Sequence, residues 1–233
     1  EWEPDMVLIN TPPEHPVALD TPLLTGRGWI TMGEVKAGDT VPVPDGSWAH
    51  VAGVSPVFTG LDCYRVTLGT GESMVASEGH HWLVQRSANH APQTMTTKEI
   101  ADDLRSPSGQ LKWRIRQAAP LQGAEVADLF DPYLFGYWLG DGSATGSTFA
   151  VGDEDIDAFE AYLSQSGRSF RRSRDSRGRS WVVYVHKIRK RLPLGHKHIP
   201  SAYFMASIAQ RMELLKGLLD SDGTIAAKDG RAR

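Results

Sequence analysis

The chain has 233 residues, 40% of them hydrophobic and 23% charged, with a formal net charge of −3. That length suits one or two globular domains, and no apolar run approaches the ~20 residues of a membrane-spanning helix. One cysteine excludes a disulfide framework within the monomer and a four-cysteine zinc site. With no secretory signal in the sequence, the expectation is a cytoplasmic, monomeric protein with no membrane partner.

In chain order, residues 6–9 (Met-Val-Leu-Ile) read as a short apolar strand running into a Pro-rich turn at 10–15. Residues 19–41 alternate short apolar pieces with glycine turns, and 51–84 continue in the same way. Many short strands separated by Gly, Asp and Pro argue for a compact all-β unit. Cys63, in the strand-like run 61–66, reads as a core position rather than a catalytic one. Near residues 85–89 the strand pattern gives way to polar residues, which predicts a domain boundary. A helix is expected at 96–104, then a Ser-Pro-Ser-Gly turn at 106–109 and a basic strand at 111–116, so that 89–130 bridges two modules.

Two segments 81 residues apart then repeat a pattern: Leu-Phe-Gly-Tyr-Trp-Leu-Gly-Asp-Gly at 134–142 and Leu-Lys-Gly-Leu-Leu-Asp-Ser-Asp-Gly at 215–223. In register, Gly136 matches Gly217, Gly140 matches Ser221, and Asp141 matches Asp222. Each reads as an apolar helix with small residues four apart, which share one face and let two helices approach backbone to backbone. The closing glycine is expected to supply the left-handed or strained turn that ends such a helix. Side by side, the helices would bring Asp141 and Asp222 together at one end. Two carboxylates there repel unless a cation lies between them, and hard oxygen donors suit Mg²⁺.

Between these segments lies a local concentration of charge. Residues 166–198 carry eleven basic side chains against the single acid Asp175, a net charge of +10 in a chain of −3. Arg171, Arg172, Arg174, Arg177, Arg179, Lys187, Arg189 and Lys190 flank the apolar run 181–185. This reads as strands presenting Arg and Lys to double-stranded DNA. His80 with His81, and His196 with His198, lack cysteine partners and are not read as metal ligands.

The paired motifs resemble the LAGLIDADG, or dodecapeptide (DOD), homing endonucleases in their single-chain form. That resemblance implies an α/β domain of αββαββ type over 131–233, in which Asp141 and Asp222 hold Mg²⁺. The stretch 195–200 (Gly-His-Lys-His-Ile-Pro) is similar to that family's segment carrying a lysine near the active site, which gives Lys197 a catalytic role.

The N-terminal half resembles the Hint fold of inteins and hedgehog-type autoprocessing domains. Thr21, Gly28, Trp29 and the run 36–41 follow the first intein block. The run 71–82 follows the second, with Ser77 where Thr is usual and His80 at the catalytic histidine. The resemblance implies an all-β Hint region over 16–88, with 1–15 left from the interrupted host protein. Acyl transfer at a peptide bond needs a polarised carbonyl and a protonated amine leaving group, roles suited to a fixed histidine with a hydroxyl or N–H nearby.

Counting back five residues from Thr21 puts the junction between His15 and Pro16, and Pro16 has no side-chain nucleophile. Two explanations stay open. A start at Ala18 would imply an inactivated or engineered first residue. A class 3 intein would instead use a cysteine in a later block and carry a Trp two positions after the block histidine, where Trp82 stands. The second is preferred. The segment before Pro16 resembles the start of the phosphate-binding loop of phage terminase large subunits, implying a terminase-like ATPase host in a phage or bacterial cell.

The expected activity is protein splicing, needing no cofactor, together with Mg²⁺-dependent site-specific DNA cleavage. The sequence ends ten residues past Gly223, so the polypeptide as written is expected neither to splice nor to cut efficiently. The alternative is a degenerate or split intein whose endonuclease only binds DNA. A free-standing endonuclease would lack the blocks in 19–84, and a hedgehog-like domain would lack the two acidic motifs.

Overall fold

The computed structural model describes residues 6–9 and 15–223. The chain divides into two units, residues 1–121 and 122–233. Among the described residues no helix is long and apolar enough to cross a membrane.

The first unit is built almost wholly from short strands. β1 (Met6–Ile9) runs parallel to β5 (Trp48–Val54), which pairs on its other side with β4 (Thr40–Pro42). β2 (Pro22–Thr25) and β3 (Gly28–Thr31) form a hairpin closed by Gly28 at φ 106°. Capping this region are Val35, Val41 and Val51, a small core with Leu23, Ile30 and Met32 packed around it. β6 (Cys63–Thr67) and β7 (Ser73–Ser77) form a second hairpin. β8 (His81–Gln85) lies between β9 (Gln93–Thr96) and β10 (Arg114–Ile115). The Pro-rich turn assigned to 10–14, and with it most of the terminase-like stretch, lies outside the described residues.

Several expectations for this unit need correction. Strand pairing does not stop at 85–89: β9 and β10 both hydrogen-bond to β8, so residues 93–96 and 114–115 join its sheet, and the chain divides after Leu121. The basic strand expected over 111–116 contracts to two residues, Arg114 and Ile115, which pair with Gln85 and Val84, while Leu111 makes an isolated bridge to Arg105. Cys63 is exposed rather than core, at the first position of β6, whose burial alternates from exposed Cys63 to half-buried Tyr64. Helix α1 (Thr97–Asp102) does form, started by Thr96 and Glu99 in a reciprocal cap. The turn at 106–109 forms with Gly109 at φ 82°.

The second unit is organised by two helices, α2 (Pro132–Asp141) and α5 (Ile208–Asp222). Asp131 caps α2 by accepting from Leu134 N at 3.0 Å, and Pro132 opens its first turn. Leu134, Phe135, Gly136, Tyr137 and Trp138 are all buried, as an apolar helix in a domain centre must be. One side of α2 faces an antiparallel sheet in the order β11 (Thr148–Val151), β13 (Trp181–Val185), β12 (Phe170–Arg174). Helix α3 (Ile156–Gln165) adds Ile156, Phe159 and Leu163 to the same core, and the short α4 (Ser201–Phe204) adds Tyr203. The described order is therefore α-β-α-β-β-α-α, not αββαββ. The stretch after β11 folds as α3 because its apolar residues recur at helical spacing and meet that core.

The helix pair itself forms as expected, and its glycines explain why. A Cβ on Gly136 would lie 2.1 Å from Leu214 O, and one on Gly217 would lie 2.0 Å from Tyr133 O. Only hydrogen fits at either place. The closing glycines differ from expectation: Gly142 (φ −78°) and Gly223 (φ −70°) are extended, not left-handed. Glycine is required there because a Cβ would meet the preceding turn, 2.5 Å from Trp138 O and 2.2 Å from Leu219 O.

Gly217→Ala tests this packing against intrinsic propensity. Alanine favours a helix by about 1 kcal/mol over glycine, but overpacking against fixed backbone costs roughly 1–3 kcal/mol or more. The expected result is a net loss of about 1–2 kcal/mol in urea unfolding. A gain in stability would mean the helices do not touch here.

Candidate functional site

Two constellations assemble, one in each unit. In the first unit, residues 16–18 lie against the end of β7. Ser77 N donates to Pro16 O at 3.0 Å, Ala18 N donates to Val75 O at 2.9 Å, and Val17 bridges Ala76. This added strand carries the chain back to His15, directly over the turn that follows β7.

That turn holds His80. Its N–H donates to Ser77 O at 3.1 Å, and its carbonyl accepts from Thr97 N at 2.9 Å. The His80 Nδ1–H then donates to the carbonyl oxygen of His15 at 2.5 Å. This is the carbonyl of the peptide bond that the spacing from Thr21 singles out. Burial pushes the His80 pKa below its ordinary value, partly opposed by the His15 carbonyl. The ring is therefore held neutral, with one N–H aimed at an acyl oxygen. A neutral imidazole in that position polarises a carbonyl, as an oxyanion-hole donor does. Ser77 is 3% exposed and anchors the junction through its backbone.

Trp82 does not reach the junction. Its indole N–H donates to Thr97 Oγ1 at 2.9 Å, and its ring stands edge-on to His80 with centroids 4.8 Å apart. Thr97, which sequence reasoning missed, is 3% exposed and ties the two together, its hydroxyl also within 3.3 Å of His80 O. The only signal for it in the chain is its place just inside a helix cap. Thr97→Val is expected to leave the Trp82 N–H unpaired and cost about 1–3 kcal/mol. A thermal or urea midpoint unchanged by that substitution would refute the bridge.

In the second unit, the paired helices bring Asp141 and Asp222 to one end of their interface. A Cβ built on Gly140 would lie 3.1 Å from Asp222 Oδ2 and 2.1 Å from Ser221 Oγ, which shows how closely the two C-termini meet. Burial raises the pKa of Asp141, and the charge of Asp222 raises it further; Lys197 opposes the shift and Asp155 adds to it. Lys197 closes the cluster. Its ammonium donates to Leu139 O at 3.0 Å and Gly140 O at 2.8 Å, and lies 5.4 Å from the Trp138 ring centroid. It thus caps the carbonyls at the negative end of α2. Its own pKa is lowered by burial and held up by Asp222 and Asp141.

The basic residues separate by where the sheet puts them. Arg171 stands opposite Tyr184 on the face away from Val183, its guanidinium 4.9 Å from that ring's centroid. Arg172 and Arg174 lie on the other face, opposite Val183 and Trp181. There they pair with Glu160 (3.0 Å) and Asp153 (2.5 Å) and stack over Trp181. Arg177 and Arg179 are exposed at the β12–β13 turn, which Asp175 ties by accepting from Arg179 N at 2.7 Å. Lys187, Arg189 and Lys190 are exposed just after β13, and Lys187 alone among the described non-glycine residues has positive φ, 62°. All eight are exposed to solvent, Arg172 and Arg174 while held in ion pairs with Glu160 and Asp153.

No profile of a known protein family matches the chain. A replicative DNA helicase DnaB of Mycobacterium intracellulare is 34% identical over 232 residues, covering 91% of this chain and 38% of the helicase. A replicative DNA helicase DnaB of Mycobacterium leprae (strain TN) is 38% identical over 66 residues, 28% of this chain and 11% of that protein. The chain therefore spans well under half the length of either helicase. Among solved structures, the MchDnaB-1 intein is 30% identical over 45% of this chain and 77% of its own, with a TM-score of 0.33. The Msm DnaB1 intein splicing domain bound with zinc is 34% identical over 46% of this chain and 82% of its own, with a TM-score of 0.29.

Proposed function

We propose that this chain is an intein, similar to DnaB inteins, and that its first unit prepares the His15–Pro16 bond for protein splicing. The observation that carries this reading is the 2.5 Å contact from His80 Nδ1 to the His15 carbonyl oxygen. Pro16 offers no side-chain nucleophile, which favours the class 3 route: a thiolate from a later part of the precursor attacks the His15 carbonyl carbon. The C–N bond to Pro16 breaks, Pro16 nitrogen takes a proton, and the upstream segment is carried as a thioester. His80 stabilises charge on the carbonyl oxygen as the carbon becomes tetrahedral. A start at Ala18 is disfavoured, because residues 16–18 are already paired with β7. The host is read as a DnaB-type helicase in preference to a terminase, since the helicase likeness covers 91% of the chain.

We further propose that the second unit is a LAGLIDADG-type homing endonuclease acting on double-stranded DNA. The supporting observation is the convergence of Asp141, Asp222 and Lys197 at one end of the helix pair. The residues fit a divalent metal: two hard, anionic donors meet at one end of the helix pair, where burial and the nearby Asp222 charge already disfavour the charge of Asp141. Asp141 and Asp222 would hold Mg²⁺, which supplies charge stabilisation at the scissile phosphate and a more acidic water. Arg171 and the solvent-facing basic residues that follow would bind the DNA backbone. The protein would act as a monomer in the cytoplasm of a bacterial or phage-infected cell.

The test is one preparation of full-length precursor assayed twice, for ligated host protein and for Mg²⁺-dependent cleavage of a DNA library. Splicing without cleavage would leave the second unit a DNA-binding module. Absence of ligated product would overturn the first reading.

A further inference from the structure

We propose that the splicing unit contains a recognition subsite for the side chain of residue 15, formed by the Gly79 carbonyl and the His81 ring. The proposal rests on reading His15–Pro16 as the upstream junction. Three consecutive residues each touch residue 15 at a different place. The Gly79 carbonyl accepts from His15 Nδ1–H at 2.6 Å. His80 donates to the His15 carbonyl at 2.5 Å. The His81 ring lies against the His15 ring with centroids 4.0 Å apart and planes inclined by 37°.

The turn that makes these contacts is fixed from outside. Ser77 O and Thr97 N hold His80, and His81 opens β8 in register with Thr96. A side chain seated between Gly79 and His81 therefore indexes its own carbonyl against His80. The chemical class the subsite takes is a flat side chain carrying an N–H donor on the near edge. Histidine satisfies both requirements; alanine satisfies neither. The splicing unit would thus read the last residue of its host and activate the bond best when that residue fits.

The experiment is a double-mutant cycle in the full-length precursor, with splicing rate as readout. With His81 present, His15→Ala should slow splicing about tenfold, the size of one good hydrogen bond and ring contact together. In a His81→Ala background the same change should cost about threefold or less, because the ring contact is already gone. His81→Phe keeps the ring face and should retain most of the discrimination, which guards against a misfolded alanine variant. Equal factors in all three backgrounds would overturn the subsite. Normal ligation by His80→Ala would instead overturn the reading of the junction, so the two failures are told apart.

Discussion

A full-length precursor carrying His80→Ala is expected to accumulate unspliced, with ligated product formed at least about 100-fold more slowly. The magnitude follows from what the ring does. A preorganised N–H at 2.5 Å from the acyl oxygen contributes most when that oxygen gains charge. Burial holds the ring neutral, so water cannot simply substitute for it in the same geometry. Truncation to alanine removes the donor but leaves Thr97 N on the residue 80 carbonyl, so the turn itself should persist. Precursor and ligated product resolved on a gel at several times measure the effect. Ligation at the normal rate would remove His80 from the reaction and overturn the reading of His15–Pro16 as the junction.

The second large effect is expected at the acidic pair. Asp141→Asn or Asp222→Asn should reduce Mg²⁺-dependent DNA cleavage by at least about 100-fold, since each removes one of two anionic oxygen donors. Metal-free stability should move the other way or not at all. Both acids stand at helix C-termini, where the backbone already presents negative partial charge, and the repulsion between them raises the Asp141 pKa. Neutralising either one relieves that cost, while Asn keeps the volume. Loss of cutting with an unchanged or raised unfolding midpoint separates a ligand role from a structural one. Cleavage that survives both substitutions would remove the metal assignment. Arg171→Ala should weaken DNA binding and flatten its salt dependence by about one ion, whereas Arg172→Ala should act on stability through Glu160 instead.

How much of this was legible in the chain depends on the range of the interaction. The two helices and their acids could be read directly, because small residues four apart and a terminal Asp-Gly are local patterns with local consequences. The junction could be counted from Thr21, since the blocks are linear in sequence. The role of Trp82 could not: only the fold shows that its indole N–H ends on Thr97, 15 residues away, and not on the scissile bond. Thr97 carried no signal beyond its place just inside a helix cap, because its hydroxyl matters through what lies against it.

The basic stretch shows the same limit from the other side. Eleven positive charges between 166 and 198 mark a basic segment, and charge density needs no fold to be counted. Which of the strand arginines meet an acid was decided by sheet register. Alternation along β12 sends Arg171 to one face and Arg172 and Arg174 to the other, where Glu160 and Asp153 await them. The closing glycines repeat the lesson. Their identity was legible, but the cause was contact with the turn before them rather than a left-handed backbone.

By itself, then, the sequence determined the β-rich first half, the paired helices, the acidic pair and the histidine at the junction, because periodicity and spacing encode short-range geometry. Only tertiary structure decided that residues 93–96 and 114–115 pair with β8, that α3 interrupts the expected strand order, and that His15 is gripped from both ends by residues 64 to 66 positions away. Those outcomes depend on which surfaces meet after the chain closes on itself, and no local pattern records that.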